Sequence, residues 1–159
     1  RRALLRSAEL GLVACVRAVV EGVAWGRSLL QARDEETGEP VMVWAVRGGR
    51  AAVVDYLLSQ GADCAVRSAA GLPLLSQAVT HWREDVVALL LRRLPGKAAV
   101  EERDAQEERT ALGWAALWGS AGSVRLLLEA GADGQARDRH GKSAQDWARE
   151  MGYEDVQRV

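Results

Sequence analysis

A chain of 159 residues with 48% apolar residues and a formal net charge of −1 can bury a continuous core, and it exerts no global electrostatic pull on nucleic acid or an anionic membrane. Two cysteines, Cys15 and Cys64, are too few for a disulfide framework of the secreted type. They lack CxxC spacing and a nearby His pair, which argues against zinc. The longest charge-free runs, 68–82 and 110–124, contain Ser, Thr, Gly or Gln and fall short of the ~20 apolar residues of a membrane span.

No signal peptide is visible, so an intracellular setting, cytoplasmic or nuclear, is expected. The chain opens at Arg1 without Met and closes in mid-pattern, which reads as a piece of something longer.

In chain order, 4–20 reads as a degenerate first unit. Ala8 and Gly11 close a first helix, and Val13, Val16, Val19 and Val20 mark a second. Cys15 falls in a core slot of that pattern and reads as a small hydrophobe, whereas Cys64 falls in a turn. A link follows over 21–33. The second unit, 34–66, starts with an acidic turn (Asp34, Glu35, Glu36, Glu39). Its second helix carries Val53, Val54, Leu57 and Leu58, and it ends in Gly61-Ala62-Asp63.

The third unit, 67–103, has Leu74, Leu75, Ala78, Val86, Val87, Leu90 and Leu91 at helical spacing. Leu94-Pro95-Gly96 replaces the Gly-Ala-Asp exit, 97–103 add length, and Trp82 stands where the inter-helix Gly belongs. This unit is expected to be the most distorted or mobile. The fourth, 104–137, has a polar turn over 104–109 and Thr110 as a helix N-cap. Ala111, Leu112, Ala115 and Ala116 share one face, and Gly119 and Gly131 act as helix stops. A closing unit, 138–159, carries Gly141, Trp147, Ala148, Gly152 and Val156.

The units superpose on one another. Gly49, Val54, Leu57, Leu58, Gly61, Ala62 and Asp63 fall on Gly119, Val124, Leu127, Leu128, Gly131, Ala132 and Asp133, and Trp44 falls on Trp114. A further 33 residues take Trp114 to Trp147. A fixed period of this size marks an array of stacked supersecondary units, each unable to bury its apolar face alone.

The run Thr110-Ala111-Leu112-Gly113-Trp114-Ala115-Ala116, then Gly119, then 124–133, resembles the ankyrin repeat, a β-turn plus two antiparallel helices with a T-P-L-H-x-A signature. So do Gly71-Leu72-Pro73-Leu74-Leu75-Ser76-Gln77-Ala78 and the closing 138–144. The resemblance implies one all-α domain over 1–159, an α-solenoid of helix–turn–helix units with short β-turn connections. The signature His is absent, its slot holding Val43, Ser76, Gly113 and Asp146. In the family that imidazole ties neighbouring turns together, so looser turns or other partners for those amides are expected.

Catalytic signs are poor. His81 and His140 sit in no acid–base pattern. Ser76 and His81 are five apart and no nucleophile elbow surrounds Ser76. Gly119-Ser120-Ala121-Gly122 lacks the Lys and the strand of a phosphate loop. His81 with Glu84 and Asp85 reads as a solvated loop rather than a metal site. No catalytic residue, cofactor or metal is implied, and nothing points to a small-molecule ligand.

The tryptophans at 44, 114 and 147 share one slot on the first helices and read as packing between units. Trp118 follows Trp114 by four residues on one helix face and, with Leu117, is the stronger contact candidate, since Trp is enriched among interface anchors. His81 matches Trp118 one unit earlier, Trp82 lies next to it, and Arg47 stands two units earlier. The charged turns read either as solvated loops or as a groove acidic in the middle and basic at its C-terminal end.

The expected reading is a scaffold or adaptor module that binds another protein or peptide through its concave face and turn tips. The contact set is Glu36, Glu39, Arg47, Leu72, His81, Trp82, Leu117, Trp118, Arg139 and His140, with no enzymatic activity, no nucleic-acid binding and no membrane insertion. The alternative is a regulatory or targeting domain of a larger enzyme whose catalytic part lies elsewhere.

Overall fold

The computed structural model describes residues 2–22, 30–94 and 96–158; Pro95 and the link residues 23–29 lie outside the described residues. Eleven helices alternate along the described chain: α1 (Arg2–Leu10), α2 (Val13–Glu21), α3 (Val41–Arg47), α4 (Ala51–Ser59), α5 (Leu74–Thr80), α6 (Glu84–Arg93), α7 (Lys97–Val100), α8 (Ala111–Leu117), α9 (Ala121–Glu129), α10 (Ala144–Met151) and α11 (Glu154–Gln157). The strand-like elements among the described residues are two isolated bridges, Arg33 to Pro40 and Arg67 to Pro73.

The fourth unit shows how local chemistry sets a hairpin. The amide of Asp104 donates to the carbonyl of Arg109, 3.1 Å, and closes the turn. The hydroxyl of Thr110 then accepts from the amide of Gly113 and caps α8. Ala111, Leu112, Ala115 and Ala116 are buried on one face. Gly119, at φ +71°, ends the helix. The amide of Ser120 donates back to the carbonyl of Ala115, 2.9 Å, which satisfies an end the helix leaves open. Val124 and Leu127 of α9 then fold onto α8.

The hairpins stack in two layers. Along one, α1 packs on α3, α3 on α5, α5 on α8 and α8 on α10. Along the other, α2 packs on α4, α4 on α6, α6 on α9 and α9 on α11. The core runs unbroken between the layers, from Val16 through Met42, Leu57, Leu90 and Leu112 to Leu127. α7 is one extra turn in the lengthened exit of the third unit, held by buried Val100.

The slot after each first helix needs a left-handed backbone. Gly11, Gly49, Gly119 and Gly152 fill it at φ +67° to +79°, and Trp82 fills it at φ +58°. Over Gly11, Gly49 and Gly119 a large residue from the next unit covers the slot. A Cβ on Gly49 would lie 2.6 Å from Cδ of Arg83, and one on Gly119 would lie 2.9 Å from the Tyr153 ring. The matching residue over Trp82 is the small Ser120, so the sequence leaves room for a side chain there.

Cys15 departs from the sequence expectation. It is exposed, although its slot is buried in every later unit. Val16 and Val20 are the residues of α2 that point inward.

In the third unit Ser76 takes the signature-His slot and is 1% exposed. Its hydroxyl finds no partner among the described residues. A buried, unmade hydrogen bond costs about 1–3 kcal/mol. Ser76→Ala is therefore expected to raise the urea midpoint, with a gain of about 1 kcal/mol. A loss instead would mean the hydroxyl is bonded to a water.

Candidate partner-binding surface

The turns are tied together without the signature imidazole. Arginines recur at 33, 67, 103 and 137. The Arg33 Nη1 donates to the carbonyl of Gly38, 3.0 Å, that of Arg67 to Gly71, 2.9 Å, and that of Arg137 to Gly141, 2.6 Å. Two of them also reach the following unit: Arg67 donates to the carbonyl of Arg103, 2.9 Å, and Arg103 to that of Arg137, 2.6 Å. Beside them, Asp104 accepts from the amides of Gln106, Glu107 and Arg109, and Asp138 accepts from those of His140 and Lys142. The tryptophan slot completes this network. Nε1 of Trp114 donates to Asp104, 3.0 Å, and Nε1 of Trp147 to Asp138, 2.7 Å.

Between the fourth and fifth units these contacts converge on Arg109. Its guanidinium lies 4.5 Å from the Trp114 ring centroid and 4.8 Å from that of Trp147. It donates twice to one oxygen of Asp138, at 3.0 and 2.8 Å. Both side chains are nearly solvent-free, at 5% and 2% exposure. Burial alone would raise the Asp138 carboxyl. The hydrogen bonds from Arg109, from Trp147 and from the amides of Lys142 and His140 outweigh it and hold the carboxyl below its ordinary range. Asp104 is held low in the same way, burial being outweighed by donors that include the Glu107 amide and the Trp114 indole. Sequence reasoning missed this pair, because Arg109 reads as one more charge on a polar turn. The available signal was two tryptophans in the same slot of consecutive units with a cation just before the first.

The expected contact residues fall into two groups, at opposite ends of the seven-residue first helices and so about 10 Å apart. On the turns, Glu36, Arg139 and His140 are exposed and Leu72 is half-buried. His140 Nε2 meets Glu107 at 2.7 Å, and the Arg139 amide donates to the Glu107 carbonyl at 2.9 Å. Glu39 is a correction. It is 4% exposed, accepts from Arg47 at 2.5 and 2.6 Å and from the amide of Ala69 at 3.2 Å. Its carboxylate is spent inside the array, bracing one turn against the next.

At the helix ends, Arg47 pairs with Glu39 and lies over the Trp44 ring, 5.4 Å from its centroid. His81 is half-buried, with Nδ1 3.0 Å from the carbonyl of Gln77. Trp82 is 56% exposed and Trp118 46%, with Leu117 half-buried beside Trp118. α5 packs against α8, so these two exposed indoles rise from the same end of neighbouring helices. Leu10, 53% exposed, ends α1 in the slot that Trp118 occupies in α8. The basic C-terminal turn is largely neutralised: Arg137 pairs with Asp146, Lys142 with Glu150, and His140 with Glu107.

Helical hairpins in two layers around one continuous core define an α-solenoid of repeats. The ankyrin-repeat family model matches residues 107–139. The chain is 35% identical over 114 residues to the palmitoyltransferase AKR1 of Lachancea kluyveri, covering 71% of the chain and 15% of that protein. It is 32% identical over 157 residues to a transient receptor potential cation channel subfamily A member 1 homolog of Caenorhabditis elegans, covering 99% of the chain and 12% of the channel. A third relative is an ankyrin repeat-containing protein of Treponema pallidum, 32% identical over 118 residues, 74% of the chain and 39% of that protein. The chain is an ankyrin-repeat protein. Ankyrin repeats are in general protein–protein interaction modules. No helix among the described residues is long and apolar enough to cross a membrane.

Proposed function

We propose that the chain is a binding module whose contact edge is the row of first-helix ends, with Trp82 and Trp118 as anchors, Leu117 and His81 beside them, and Arg47, Leu72, Glu36, Arg139 and His140 as the polar and turn-tip surround. The observation that carries this reading is Trp82. It holds a left-handed backbone, which costs a non-glycine residue about 1–2 kcal/mol, and more than half of its surface faces solvent. Strain retained without a packing return points to a use outside the fold. Buried aromatic anchors are what a partner's interface draws on. The array acts by binding and not by catalysis; both histidine rings are held by neighbouring groups, His81 by main chain and His140 by Glu107.

Trp82→Gly is expected to stabilise the fold by about 1 kcal/mol and at the same time to weaken partner capture. Leu117→Ala with Trp118→Ala is expected to weaken capture at least tenfold, equivalent to about 1.4 kcal/mol, with little change in thermal midpoint. Quantitative mass spectrometry of material captured by wild type and variants, alongside urea unfolding, checks both. A stability loss above about 2 kcal/mol for the Leu117/Trp118 pair would assign it to packing.

A second reading has its own support. The chain spans 12 to 39% of these three relatives, among them a palmitoyltransferase and a channel homolog. On this reading the array is the regulatory or targeting part of a larger protein, and the same edge docks that protein's other domains.

A further inference from the structure

The two ends of the solenoid are built differently. In second helices the slot of Val53 also holds Val86, Ser123 and Val156, all 7% exposed or less; in the first unit it holds Cys15, exposed. The slot of Tyr56 and Leu89, at 8% and 7%, and of half-buried Leu126, holds Ala18, exposed. The slot of Leu57, Leu90 and Leu127, at 1% or less, holds half-buried Val19. These slots are buried or half-buried where a preceding unit packs against them and more open in the first unit, so they face the preceding unit. In α2 all three keep the apolar side chains of an interior unit. Leu12, at the start of α2, is 48% exposed.

The closing unit does the opposite. Gln145 stands in the slot of Met42 and Leu112, and Arg149 in that of Val46, Val79 and Ala116. Gln157 stands in that of Val54, Val87 and Val124. The interior residues are 4% exposed or less, and their three counterparts are exposed. A polar outer face is what a terminal capping unit requires. The outer face of the closing unit is therefore polar, and that of the first unit is apolar.

We infer that the face formed by Cys15, Ala18 and Val19 is a unit–unit interface that receives a further helical hairpin of the same repeat, stacked in the register that α2 and α4 already show. A second copy of this chain does not supply that occupant. The surface complementary to the α2 face is the C-terminal face of a unit, and in this chain that face carries Gln145, Arg149 and Gln157. The occupant keeps apolar residues in those slots, as the fourth unit does with Leu112, Ala116 and Val124.

The test adds a hairpin to the full chain in a Cys64→Ser background. One version places a copy of residues 104–141 directly before Arg1, which keeps the repeat register; another places residues 34–71 there. In the original chain Cys15 is expected to react with an aromatic disulfide reagent at the rate of an exposed thiol, and light scattering is expected to give a monomer. In at least one extended protein its reactivity is expected to fall about tenfold or more. Val19→Glu is expected to restore that reactivity while leaving the unfolding midpoint of the original chain almost unchanged. Three results would overturn the inference: unchanged Cys15 reactivity in both extended proteins, a dimer of the original chain with Cys15 protected, or unfolding of the first unit by Val19→Glu alone. None of these bears on capture through Trp82 and Trp118, which lies on a different surface.

Discussion

Replacing Arg109 with Ala is expected to cost about 3–5 kcal/mol of folding free energy, because it strands the Asp138 carboxylate in a site with almost no solvent. The guanidinium also fills the space between Trp114 and Trp147, so the variant loses two cation–π contacts along with the ion pair. Arg109→Lys keeps the charge but not the planar fork, and is expected to recover less than half of the loss. Urea unfolding followed by tryptophan fluorescence reads this directly, since two of the reporters flank the substituted residue. A loss below about 1 kcal/mol would place the pair with ordinary surface ion pairs.

The same site sets the acid response. A carboxyl held below its ordinary value stabilises the fold above the unfolded-state value of about 3.9, and that contribution is lost as pH falls through the lower folded value. Asp138 and Asp104 are both held low, so stability is expected to fall once pH drops below about 4. The gap in midpoint between wild type and Asp138→Asn is expected to be largest at neutral pH and to narrow below that point. A gap independent of pH would mean that the charge on Asp138 contributes nothing.

Much of the architecture could be read from residues alone, because stacked hairpins write their packing as a period. Thr110 caps α8 and Gly119 ends it with φ +71°, as the spacing implied. The slot shared by Trp44, Trp114 and Trp147 does pack against the core. The pattern misleads where a slot's neighbour decides the outcome. Cys15 stands in an interior slot yet meets solvent, because burial there depends on the preceding unit. Glu39 and Arg109 occupy the same position in units two and four and read as loop charges. Each is buried by a partner elsewhere, Arg47 eight residues on for Glu39 and Asp138 in the next unit for Arg109. Charge pairing leaves no periodic trace when opposite signs solve the same slot, one within its unit and the other across units. The arginines at 33, 67, 103 and 137 do recur with the period, and their register, more than their charge, marks them as ties between turns.

Gly113→Ala tests whether that network, rather than helix propensity, governs the fourth unit. In an ordinary helix interior the substitution gains up to ~1 kcal/mol. Here a Cβ on residue 113 would sit 2.6 Å from Cγ of Arg109 and 3.2 Å from its Cδ. Those atoms cannot retreat. The Arg109 main chain is bonded to Asp104 at both its amide and its carbonyl, and its guanidinium is clamped between two indoles and a carboxylate. The expected result is a net loss of about 1–3 kcal/mol, the range for forcing an extra carbon into a packed site. The sign should reverse once the obstruction is gone: in an Arg109→Ala background, Gly113→Ala should stabilise, giving a coupling energy that a double-mutant cycle measures. The absence of the signature imidazole from the fourth unit then has a physical cause. A side chain at 113 and an arginine at 109 compete for one space, and in this chain the arginine occupies it. Stabilisation by Gly113→Ala in both backgrounds would show that the Arg109 stem is free to move, and the clamp between the fourth and fifth units would have to be abandoned.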